Sequence, residues 1–137
     1  MTIIAAMLTS YASQALAVLQ KLLPDLASLA VEQDDIFQIS LITPAGWEFW
    51  LYSDEEDQLT VKFAEYRCQF GNYQGTTAEI DATNAAEFIQ EIRNGEMVLA
   101  VWYRGDEYAW SSFIVATEEP QSFHSGENLT VKIKKWA

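Results

Sequence analysis

The chain holds one thiol and one imidazole, Cys68 and His124. Cys–His nucleophilic catalysis would need these two within hydrogen-bond reach, with a third group orienting the imidazole. Neither neighbourhood, Arg67-Cys68-Gln69 or Phe123-His124-Ser125, carries a catalytic signature. A lone thiol ordinarily packs as a small apolar group, so Cys68 reads as packing and His124 as a loop residue. The pair is too small for a structural zinc site, which needs several Cys and His ligands. A single cysteine also forms no intrachain disulfide, and a reducing, cytoplasmic compartment is expected. Ser111-Ser112, Ser122 and Ser125 lack the strand–elbow–helix setting of a hydrolase nucleophile.

Carboxylates are plentiful, with 20 Asp and Glu in the chain. A glycosidase needs two of them flanking a sugar, one with its pKa raised by burial. Glu48, between Trp47 and Trp50, is the acid that best suits such a platform. It also falls on the polar phase of a strand, where a cross-strand pair with Lys62 would account for it. Asp54-Glu55-Glu56-Asp57 lacks the alternate ligand spacing and the sharp glycine turn of a calcium loop. Gly71-Asn72-Tyr73-Gln74-Gly75 lacks the Lys-Ser/Thr ending of a phosphate loop. No catalytic residue, metal or cofactor is expected.

Aromatic and cationic residues are the remaining candidates, since Tyr, Trp and Arg anchor protein interfaces. Trp50 and Tyr52 share the less apolar phase of one strand. Trp102 and Arg104 share a phase of another, and Tyr66, Phe70 and Tyr73 lie in an irregular stretch. The candidate binding residues are Glu48, Trp50, Tyr52, Tyr66, Arg67, Trp102 and Arg104.

The elements that position these residues follow from periodicity. Ile4, Met7, Leu8, Tyr11, Ala15, Val18 and Leu22 recur at helical spacing, with a break near Leu23 before Pro24. This helical segment spans 1–31. Its apolar circumference exceeds what one sheet face covers, so homodimerisation through it is expected. Residues 32–64 alternate as a three-stranded meander, and 65–80 read as a long loop, with a strand continuing as far as Phe70 as the alternative. Residues 81–95 form a second helix, capped by Asp81 or Thr83 and stopped at Asn94-Gly95. A second three-stranded meander fills 96–137, with Met97–Tyr103 apolar on both phases, as in a strand buried on both faces. The expected fold is one α+β domain: helix, meander, helix, meander, with a mostly antiparallel sheet and helices on one face. Asp57–Phe63 echoes Glu127–Ile133, which raises an internal duplication.

The chain has 137 residues, half of them apolar, and a net charge of −12. That apolar share excludes intrinsic disorder. The charge disfavours nonspecific nucleic-acid binding. No charge precedes Lys21, but Thr9, Ser10, Tyr11, Ser13 and Gln14 interrupt the apolar run, against a signal or membrane segment. The first functional expectation is therefore a small acidic, noncatalytic module that binds a basic protein partner. A bacterial immunity-type inhibitor of a nuclease toxin is of this physical type. The alternative is a small-ligand or enzymatic domain, its pocket between sheet, 65–80 loop and helix and lined by Arg67, Arg104, Glu48 and Tyr66.

Overall fold

The computed structural model describes residues 8–71, 75–120 and 128–137. Helix α1 (Ser10–Leu22) starts at Thr9, whose hydroxyl accepts from the Ala12 amide at 3.0 Å. The chain breaks at Leu23, and Pro24 opens a short helix, α2 (Pro24–Ala27). Proline has no amide hydrogen to continue a helical ladder but fits a first helical position.

Five antiparallel strands follow as a single meander: β1 (Val31–Gln33), β2 (Ile36–Ile42), β3 (Glu48–Ser53), β4 (Gln58–Phe63) and β5 (Tyr66–Gly71). Two of them lie outside the expected three. β1 is a short edge strand joined to β2 by Asp34 and Asp35, both with positive φ, as a tight hairpin turn demands. β5 occupies the first part of the stretch expected to be a loop. Its turn, Ala64-Glu65, carries no Gly or Asn to announce it, and Ala64 itself takes a φ of +50°. The turn is held from outside, by the Ala64 amide donating to the Glu48 carbonyl and by the anchored Glu65 side chain.

Helix α3 (Ala78–Arg93) begins three residues earlier than expected. Its cap is Thr77, which accepts from the Ile80 amide, rather than Asp81 or Thr83. Asp81 is instead buried, and accepts a 2.6 Å hydrogen bond from the Tyr11 phenol. A carboxylate in the first helical turn is favoured by the helix dipole.

The last three strands make a separate antiparallel sheet in the order β7-β6-β8: β6 (Met97–Arg104), β7 (Glu107–Val115) and β8 (Leu129–Lys134). The fold is thus α+β with two antiparallel sheets. β6 is central, and Val98–Trp102 are buried on both phases. The helices pack on each other and on the inner face of the five-stranded sheet. Phe37, Ile39, Phe49, Leu51, Leu59, Val61 and Phe63 fill that face. Leu99 and Val101 bring the inner face of the small sheet into the same core. Trp136 closes the junction, edge-on to Phe49 at 5.0 Å and stacked on Phe63 at 6.3 Å.

The proposed duplication fails on topology. β4 is an inner strand of a meander and turns Leu59, Val61 and Phe63 into the core. β8 is an edge strand whose Leu129, Val131 and Ile133 share the face opposite that core. Among the described residues, no helix is long and apolar enough to cross a membrane. In α1, Ala12, Ala15, Leu16 and Leu19 are buried and Leu22 is exposed, whereas Ile4 and Met7 lie outside the described residues.

Candidate functional site

The register divides the candidate residues among three places. On the outer face of the five-stranded sheet, one row crosses four strands as Ser40, Trp50, Lys62 and Arg67. Beside it run Gln38, Tyr52, Thr60 and Gln69. Glu48 is exposed on this face but pairs with Ile42, while Lys62 stands opposite Trp50 and Arg67. The expected Glu48–Lys62 pair is therefore not formed as direct neighbours. The register is set by Phe49 meeting Phe63 in the core, which leaves the acid and the lysine diagonal.

Tyr66 belongs to the core instead. Its ring packs edge-on to Phe113 at 4.8 Å and tilted against Phe88 at 6.4 Å. Arg67 is exposed on β5, and Arg104 lies at the hairpin end of the other sheet. The four residues assigned to an enzymatic pocket, Arg67, Arg104, Glu48 and Tyr66, thus do not line one cavity. The Cys68 thiol is half-buried, and burial pushes its pKa up to about 11, which suppresses the reactive thiolate. His124 and Tyr73 lie outside the described residues. Among the described residues, no three His, Cys, Asp or Glu side chains gather as a metal site would require.

A partly buried polar group joins the two sheets. Lys134 donates to both Glu65 carboxylate oxygens, at 2.6 and 2.7 Å, and the Tyr103 phenol donates to the same carboxylate at 2.5 Å. The ammonium also stands 4.3 Å from the Trp47 ring centroid. Burial disfavours the Glu65 charge, but the bonds from Lys134 and Tyr103 outweigh it and hold the pKa below the usual carboxylate range. Burial likewise opposes the Lys134 charge, and the Glu65 contact more than reverses that effect. Such a saturated group suits fixing one sheet against the other.

The third place is the outer face of the small sheet. Cross-strand neighbours there are Val98 with Ile114, Ala100 with Ser112 and Ile133, and Trp102 with Trp110 and Val131. Trp102 and Trp110 stack with centroids 5.7 Å apart. Next to them the β6–β7 register shifts, leaving Ala109 as an extra residue. Bulges of this kind re-aim side chains and recur beside functional sites. The small pair Ala100 and Ser112 lies between two larger pairs, Trp102–Trp110 and Val98–Ile114, so the surface dips there. A cavity of about 450 Å³ occupies the dip, and Glu118, Glu119 and Pro120 complete its lining. No helix packs on this face among the described residues.

Of the sequence candidates, only Trp102 lines this cavity, with Arg104 on the same sheet face. Trp110, Ile114, Ile133, Glu118 and Glu119 were not singled out by sequence. Their signal was the apolar phase of the last strands: Trp110 and Ile114, then Leu129, Val131 and Ile133. That phase ordinarily marks a core face, and here it marks the opposite one. The fold and this face define an acidic α+β protein whose small sheet turns a second apolar face away from the main core, with Val98, Ala100 and Trp102 buried on it and Ile133 exposed. The chain matches no protein-family model, no curated protein and no solved structure.

Proposed function

We propose that the chain is a noncatalytic protein-binding module that docks a basic partner on the outer face of its three-stranded sheet. One observation carries this reading. Apolar side chains from all three strands, centred on the Trp102–Trp110 stack, share a face without a covering helix in a chain of net charge −12. Trp102 is buried at the centre of that face, while Trp110 and Ile114 are half-buried and Ile133 is exposed. Accessible apolar surface rimmed by polar groups marks interaction sites, and aromatic residues anchor interfaces. The charge selects the partner. A second copy would bring the same −12 and be repelled, whereas a basic protein is steered toward the face.

A second reading has support from the cavity itself, because about 450 Å³ is a size that accommodates small ligands. Calorimetric titration with a peptide of alternating Arg and Leu tests the protein-binding reading. Saturable binding is expected, weakening as salt is raised. Ile133→Lys, an added positive charge at an exposed position of the face, should abolish it. Equal binding of the Glu–Leu counterpart, or no binding of either peptide, contradicts the proposal.

A further inference from the structure

Resting on the docking face just proposed, we infer that the cavity beside the Trp102–Trp110 stack receives a single cationic side chain of the partner, an arginine. The cavity has two kinds of wall. Trp102, Trp110, Ile114 and Pro120 are apolar or aromatic, and two acidic residues, Glu118 and Glu119, belong to the same lining. An indole face attracts a cation through its ring quadrupole. A carboxylate takes a guanidinium by paired, charge-assisted hydrogen bonds.

An apolar anchor would satisfy the first wall only, and would desolvate the carboxylates without compensation. A carboxylate or phosphate would meet two like charges. An arginine satisfies both walls. Its methylene stem covers the apolar residues, and its planar head stacks on indole while pairing with acid. Ala100 and Ser112 supply the depth, since a larger residue at either position would fill the dip where the stem must enter. Lysine offers the same charge without the planar head, and ranks second on these grounds.

The test follows the indole N–H resonances of Trp102 and Trp110 by NMR, titrating N-acetyl-arginine amide and its neutral isostere N-acetyl-citrulline amide. Arginine amide should bind about tenfold more tightly than citrulline amide. The paired substitution Glu118→Gln and Glu119→Gln, at exposed positions that leave the core intact, should remove that preference. Trp110→Leu should weaken both probes. Equal binding of the two amides, or a preference untouched by the Gln pair, overturns the inference. If the Arg–Leu peptide still occupies the face in that case, the docking surface stands and only its cationic anchor is lost. Tight arginine-amide binding without any peptide binding would instead assign the cavity to a free organic cation and overturn the partner.

Discussion

The Glu65 carboxylate accepts from two side chains of the other sheet, Lys134 and Tyr103. Glu65→Gln removes the charge and leaves Lys134, only 8% exposed, without its counter-ion. The expected cost at neutral pH is about 2–3 kcal/mol, measured by urea unfolding. The sign of the pH dependence follows from the lowered Glu65 pKa. Its contribution is complete above the unfolded carboxylate value of about 4.3 and is lost as pH falls through the folded value. The stability gap between wild type and Glu65→Gln should therefore close on acidification. Lys134, its pKa raised, keeps its contribution below about 10.4 and loses it as pH rises through the folded value. A gap that stays constant across the acid range would show that Glu65 acts through packing alone. Thr60 is the opposite case: its hydroxyl is fully buried and makes no hydrogen bond among the described residues. Thr60→Val keeps the shape and removes the orphaned donor. It should be neutral or stabilise by about 1 kcal/mol, and a clear loss would reveal a partner for that hydroxyl.

At the scale of elements, two positions show how turns and helix starts are enforced. Ala64 holds a φ of +50° at the β4–β5 turn, which costs an L-residue about 1 kcal/mol relative to glycine. Ala64→Gly should accordingly raise stability by roughly 0.5–1 kcal/mol in thermal denaturation. Gly71 ends β5 at a φ of +108°, and a β-carbon there would come within 2.3 Å of the Asp81 carboxylate. Gly71→Ala therefore combines backbone strain with a clash against the Tyr11–Asp81 pair. A loss of about 2–4 kcal/mol is expected, and an unchanged melting temperature would contradict the contact.

These positions also explain what was legible in the sequence. The break at Leu23-Pro24 and the Gly105-Asp106 hairpin carry their cause locally, in Pro and Gly. The Ala64-Glu65 turn does not. Its hook lies on Tyr103 and Lys134, remote in sequence, so β5 read as loop. The α3 start was displaced because Asp81 has the chemistry of a cap but is recruited by Tyr11 from another helix. The candidate site was legible only through Trp102 and Arg104. Alternation shows that Leu129, Val131 and Ile133 share a face, but not which face looks toward the core. Lys134 decides it by turning inward to Glu65, which forces the apolar phase outward.

On the whole-molecule scale, the two sheets present unlike outer faces. The five-stranded sheet shows Trp50 and Tyr52 beside Lys62 and Arg67. The three-stranded sheet shows the Trp102–Trp110 stack, an apolar surround and the Glu118 and Glu119 carboxylates. Both carry an aromatic beside an acid in a cavity, but the smaller one at Trp50 and Glu48 adjoins the Lys62 and Arg67 row. Glu118 and Glu119 line the larger one with no Lys or Arg among its lining residues, so a basic partner distinguishes the two. Long-range attraction from the net charge would raise its encounter rate, and the apolar contacts would set its residence time. The most direct measurement is backbone-amide NMR mapping of the whole chain during titration with the Arg–Leu peptide. Shifts concentrated at Val98, Ala100, Trp102, Trp110, Ser112, Ile114, Val131 and Ile133 are the result this account requires. Shifts centred on Trp50, Tyr52, Lys62 and Arg67, or none at saturating peptide, would contradict it.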